Sequence, residues 1–278
     1  MKIQFLLLSL MTIGICSGCL SLKEIKEYSS TSINSLQKID HLQYSFNEYC
    51  NRDCNLQQMR KGVIDTQYNC NCIQIASKAD SAIWQINSTI IAYLRAIEQL
   101  SNNQQFIYDA SGLSGALQSN PLLKLNDQQT AIISKSGNFL ATIATSFYRK
   151  SELKKYIEQA DPVFGDLMDT FIYLLNNRLR TQLKIDYEKH EVNLKQQLDD
   201  SSTGKVLKQL IVIQFINERK YYLHHLSLLD CYVSLISKVK EGHHLLYLQR
   251  EHLQDKSLKN LAKRYADDIQ SLAASVKQ

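Results

Sequence analysis

Residues 73–109 read IQIASKADSAIWQINSTIIAYLRAIEQLSNNQQFIYD, and the spacing of the apolar residues in this stretch decides the fold. Ala76, Ile83, Ile90 and Ile97 stand seven apart, and Ala79, Ile86, Tyr93 and Leu100 form a second seven-spaced set. An α-helix turns once every ~3.6 residues, so both sets fall on one stripe and form a coiled-coil-like seam. A seam needs a partner. It could be the preceding helix, another helix of a bundle, or a second chain, and the preceding helix is the expected one. Trp84 sits one position off the seam, as a second buried flank or an exposed contact.

Upstream, residues 21–49 predict a first long helix, with Leu22, Ile25, Ile33, Leu36, Ile39, Leu42, Phe46 and Tyr49 at mostly three- and four-residue steps. The Ser and Thr cluster at 29–32 is its weak point. Between the two helices lies the one cysteine-rich segment, 50–72, with Cys50, Cys54, Cys70 and Cys72. Four clustered cysteines in an oxidising compartment point to two disulfides, for which three connectivities exist. Cys70 and Cys72 are poorly placed to pair with each other. A nested arrangement, Cys50 with Cys72 and Cys54 with Cys70, would staple a hairpin where the chain turns back. The spacing does not match a zinc finger.

Downstream, residues 110–126 carry loop signals: Ser111, Gly112, Gly115, Asn120 and Pro121. The stretch from Gly112 to Ala116 approaches a G-x-S-x-G nucleophile elbow but lacks its last Gly and a preceding strand, so it reads as loop. Residues 127–150 predict a helix with Asp127 as N-cap and Ile132, Ile133, Phe139, Leu140, Ile143 and Phe147 on one side. Ser151 caps a short helix through Gln159. Asp161-Pro162 then reads as a fresh helix start, running to about residue 198 with its far half charged and protruding into water. Asp199–Gly204 is a turn. The helix over about 205–241 is the most hydrophobic part after the N-terminus and apolar on more than one face, which places it in the middle of a bundle. Gly242 marks a break, and residues 243–254 and 257–276 complete the helices.

Two Pro and nine Gly in 278 residues are too few for the turns of a β-sandwich or barrel. The fold class is therefore all-α: an elongated multi-helix bundle of long antiparallel helices. The net charge of +5 is small and scattered, with no basic stripe of the kind that binds nucleic acid.

The N-terminus places the chain. Lys2 precedes a nearly all-apolar run over residues 3–15, too short for the roughly 20 residues that span a bilayer. It reads as a cleaved export signal. The following Cys16-Ser17-Gly18-Cys19 resembles the lipobox of bacterial lipoproteins, with Cys16 where that pattern has Leu. The resemblance covers the first twenty residues. It implies cleavage before Cys19, acyl chains on Cys19 and a membrane-tethered protein in the bacterial envelope. Residues 1–18 are then the signal peptide and 19–278 a single helical bundle domain. Leu20, a non-Asp residue, implies the outer membrane in enteric-type sorting.

No reactive constellation assembles on paper. His224, His225, His243, His244 and His252 crowd the C-terminal third, but adjacent His side chains point about 100° apart on a helix. Glu241-x-x-His244 is half of a di-iron bundle signature with no second copy. His190-Glu191 begins H-E-x-x-H, but Leu194 stands in the last place. Cys231 reads as an inert buried thiol, and Tyr221, Tyr222, Tyr232, Tyr247 and Tyr265 as core-edge residues. The expectation is a protein with no catalytic residues, metal or cofactor. It acts by binding a protein partner in the envelope, as a scaffold or accessory module. The alternatives are an immunity-type lipoprotein that neutralises a toxin, or an enzyme using the His- and Tyr-rich C-terminal third.

Overall fold

A computed structural model describes residues 23–62, 70–100, 120–146, 152–252 and 256–275. Every regular element among them is helical. The helices are α1 (Lys23–Leu36), α2 (Phe46–Lys61), α3 (Ile73–Leu100), α4 (Asp127–Ser146), α5 (Leu153–Tyr173), α6 (Arg180–Asp199), α7 (Lys205–Leu248) and α8 (Lys256–Ser275). A 3₁₀ segment, Gln37–Leu42, follows α1, and a π-helical turn, Leu174–Leu179, joins α5 to α6 without a loop.

The seam on α3 is buried as its spacing predicts: Ala76, Ala79, Ile83, Ile86, Ile90, Tyr93 and Ile97 all face the core. Its neighbours are α1, the expected partner, together with α2, α4 and α5. Around this core α1, α3, α4, α5, α7 and α8 close a ring, each packed on the next. One hydrophobic cluster runs through it from Ile25 to Ala273. The Ser and Thr cluster does not weaken α1. The helix passes through it, with Ser29 and Ser32 fully buried.

Residues 21–49 are not one helix. Gln43 adopts a left-handed backbone (φ 52°), and Ser45 starts α2 by accepting the Glu48 N–H at 3.1 Å. The Asp80 carboxylate of α3 accepts the N–H groups of Phe46 and Asn47, each at 2.9 Å. These are orphan donors of a helix N-terminus, which attract negative charge. Gly62, at φ 64°, closes α2 by donating its N–H to the last turn. The cysteines pair in the nested order: Cys50 with Cys72 and Cys54 with Cys70, with Cα separations of 5.8 and 6.1 Å. They fasten α2 to the start of α3.

Three boundaries differ from expectation. The N-cap of α4 is Asn126, not Asp127. Asn126 accepts the Gln129 N–H while Gln129 accepts the Asn126 N–H, a reciprocal capping box. Pro162 starts no helix, because α5 runs through it from Leu153. Asp161 is free of a capping role and turns its carboxylate to His243 and His244. Gly242 is no break either. It lies inside α7, and its missing side chain leaves room for the Tyr28 ring. Of the predicted loop 110–126, residues 120–126 form a turn, and 110–119 lie outside the described residues.

The long axis comes from a helical hairpin. The continuous helix Leu153–Asp199 runs antiparallel to α7, and the turn after Asp199 joins them. At about 1.5 Å per residue the 44 residues of α7 span about 65 Å. The ring helices flank only its C-terminal half. There Leu228, Leu229, Tyr232, Leu235, Ile236, Val239 and Leu246 are buried. The first half, beyond the ring, has α6 as its main neighbour, with α2 alongside the base.

Candidate functional site

The exposed half of α7 is the outstanding surface of the molecule. On the side facing α6, Ile211 is buried and Phe215 half-buried against Leu194 and Leu198, around an apolar cavity of about 160 Å³. The opposite side faces solvent, yet it is also apolar. Val206 is 71 % exposed, Leu210 56 %, Ile213 54 %, Ile216 46 % and Leu223 50 %. Most of these fall on a repeat of seven. Val206, Ile213 and Lys220 occupy one set, and Gln209, Ile216 and Leu223 the other, spaced as the two core positions of a coiled coil. An open concavity of about 730 Å³ lies along Lys205, Lys208, Gln209, Val212 and Ile213. The reading of 205–241 as the middle of a bundle therefore holds for its second half only. Apolar residues all round a helix record how many neighbours it needs. Along its first half one flank has none among the described residues.

The base of the arm is pinned by charge. Arg52 of α2 donates from Nε to Asp186 of α6 and from Nη2 to Glu218 of α7, each at 2.5 Å. Its guanidinium also lies 4.2 Å from the Tyr221 ring centroid. His190 sits beside both acids, 3.5 Å from Asp186 and 4.0 Å from Glu218. Burial raises the Asp186 pKa, and Arg52 only partly counters it. Lys189 donates to Asp53 at 2.6 Å, and the His225 Nδ1 meets the Leu42 carbonyl at 2.9 Å. These bonds hold the arm at a set angle to the bundle.

A second polar cluster lies deep in the ring. The Tyr93 hydroxyl is 2.7 Å from His243 Nε2, and His243 Nδ1 is 3.0 Å from Asp161. His244 reaches the other Asp161 oxygen at 2.8 Å. Burial lowers the His243 pKa, and the Asp161 hydrogen bond only partly restores it. Burial pushes the Asp161 carboxyl up, but the two imidazoles outweigh it and leave the pKa lowered. Burial also holds Tyr93 as a phenol. A neutral His243 then donates from Nδ1 to Asp161 and accepts the Tyr93 O–H at Nε2. Tyr93 and His243 are both fully buried, and the trio bonds α3, α5 and α7 together.

That geometry fixes the sign of an acid effect. The unfolded chain binds a proton at His243 near pH 6.5, whereas the folded chain binds it only at lower pH. Stability is then lost as pH falls through about 6.5, and Asp161 adds a further loss below about pH 4. His225, lowered by burial, acts in the same direction. Asp80 and Asp186, raised by burial, bind protons more readily in the folded chain and oppose it as the carboxyl range is approached. Urea midpoints measured from pH 7.5 to 5 are expected to fall steadily. A flat profile would contradict a neutral buried His243.

The other residues singled out in the sequence scatter. His224 and His244 lie twenty residues apart on one unbroken helix, about 30 Å, and are not brought together. The side chain of His252 lies outside the described residues, as do Cys19 and the whole signal region. Cys231 is a free thiol, half-buried rather than deep. Tyr232 is fully buried and hydrogen-bonds the Leu36 carbonyl, while Tyr221, Tyr222, Tyr247 and Tyr265 are half-buried at the core edge. Trp84 is exposed, between two concavities of about 410 and 400 Å³. No group of three metal-ligating side chains gathers among the described residues, and no described helix is long and apolar enough to cross a membrane. Compared with known protein families, curated proteins and solved structures, the chain matches none.

Proposed function

We propose that this chain is a lipid-tethered helical module of the bacterial envelope whose work is to hold a protein partner. The observation that carries the reading is the solvent-facing apolar side of α7. Exposed apolar patches of this kind mark interaction sites on water-soluble surfaces. The disulfides fit an oxidising compartment, and the lipobox-like Cys16–Cys19 stretch supplies the tether. The first described turns of α1 and the exposed surface lie far apart along α7, which supports a tether remote from the surface. The first turns of α1 lie beside Val239 and Gly242, where Tyr28 donates to the Val239 carbonyl. From there to Val206 is about 50 Å along α7. A chain held to a bilayer just before α1 would present the arm away from it.

The tether is tested by mass spectrometry of the envelope fraction. The expected result is a mature N-terminus at Cys19 carrying acyl chains, and a Cys19→Ser chain released from the membrane. An intact, unacylated N-terminus in the cytosolic fraction would end the reading.

A further inference from the structure

We infer that the exposed seam of α7 is one strand of an intermolecular coiled coil, and that its partner is an amphipathic helix flanked by acidic residues. The inference rests on the protein-binding reading above and specifies the partner. Three observations carry it. The seam has heptad spacing, so it fits a partner of the same period. Val206, Ile213, Ile216 and Leu223 supply the row, and Leu207, Leu210 and Val212 are exposed beside it. The row is solvent-exposed while the opposite side of the same helix is already satisfied by α6, so one further helix completes the arm. One flank is cationic, while the other carries Leu210, Asn217 and His224. Lys205 and Arg219 occupy the same flanking position one repeat apart from the intervening Val212, and Lys220 lies on the row itself. None of the three makes a salt bridge among the described residues. Across α7 residues 205–229 the sole carboxylate is Glu218, and it faces inward to Arg52.

This charge pattern selects among occupants. A second copy of the same face, in either direction, brings further cations and no outward carboxylate to pair with Lys205, Arg219 and Lys220, since Glu218 is held by Arg52. A partner with Glu or Asp beside its apolar row would pair with both flanking cations and with Lys220. The seven-residue spacing is a register that a partner helix matches and that a bilayer does not require.

The test uses the full acylated chain held in phosphatidylcholine nanodiscs. Two synthetic helical peptides serve as probes, each with Leu and Ile at the core positions of four heptads. One has Glu at the flanking positions and the other Lys. The expected result is at least tenfold tighter binding of the Glu peptide, weakened by salt. Ile213→Asp with Ile216→Asp should abolish that preference while helicity and melting stay unchanged, since both side chains are exposed. Val192→Asp, on the exposed side of α6, should leave it intact. Equal binding of the two peptides, or indifference to Ile213→Asp with Ile216→Asp, would overturn the inference. So would self-association removed by the same pair, or adsorption to anionic vesicles removed by it. Co-purification from solubilised envelope separates the two levels. If proteins are retained equally by the wild type and the Ile213→Asp, Ile216→Asp chain, the seam is not the site but the binding reading stands. If nothing is retained by either, the binding reading fails as well.

Discussion

Replacing Cys50, Cys54, Cys70 and Cys72 by Ser should lower the unfolding free energy by about 5 kcal/mol, the largest loss expected from any change to α2. The outer cystine spans 22 residues and the inner one 16. Closing a loop of that size restricts the unfolded chain by about 3 kcal/mol, and the second closure adds somewhat less because the first has already brought the ends together. Either pair removed alone should therefore cost about 2–3 kcal/mol. The loss should also be local. Helix α2 buries only Phe46, Cys50, Cys54 and Leu56, and otherwise relies on ionic contacts to α6 and α7 and on the Asp80 cap from α3. Without its cystines α2 should open while the ring of helices persists. Amide hydrogen exchange distinguishes this from global unfolding. Protection in α2 that survives loss of both cystines would show that packing alone secures it.

The second large effect centres on Gly242. A Cβ built there would lie 2.4 Å from Cε2 of Tyr28. Tyr28 cannot turn aside: it is fully buried, and its hydroxyl donates to the Val239 carbonyl at 2.5 Å. Gly242→Ala should cost about 3 kcal/mol, at the upper end for overpacking, despite alanine's better helix propensity. Gly165, also inside a helix, is the control. The nearest atom to its Cβ would be Lys240 Cε at 3.9 Å, so Gly165→Ala should be neutral or stabilising by up to about 1 kcal/mol. The two sites are separated further by a double-mutant cycle. In a Tyr28→Ala background the Gly242→Ala penalty should largely vanish. An undiminished penalty would mean that something other than the ring excludes the side chain.

How far the sequence could be read follows from which signals are local. The α3 seam was legible because burial there repeats with the helix itself, from Ala76 to Ile97. The nested cystines were legible because chain spacing leaves few arrangements for four close cysteines. Asp161-Pro162 and Gly242 misled for one shared reason. Each has the local chemistry of a helix boundary, but each answers to a distant residue. Asp161 answers to His243 and His244 on α7, and Gly242 to Tyr28 on α1. Nothing within a few positions of either reveals that demand. The Arg52, Asp186 and Glu218 cluster was invisible for the same reason, since its members lie on three helices. The exposed side of α7 is a different case. Hydropathy shows that a helix seeks neighbours all round, not whether its own chain supplies them. A signal did exist in the second seven-spaced row through Val206, Ile213, Ile216 and Leu223, on the side turned away from Ile211 and Phe215.

The join between α5 and α6 has a mechanical consequence. Because the chain passes from the bundle into the arm through a π turn and not a loop, and α7 returns unbroken, both rails of the arm are rooted in the core. Swinging its free end sideways requires two helices to flex together, and Arg52 braces them at the point of greatest leverage. Cargo seated there would keep a constant standoff and heading relative to the body, and a pull on it would be felt directly at the opposite end.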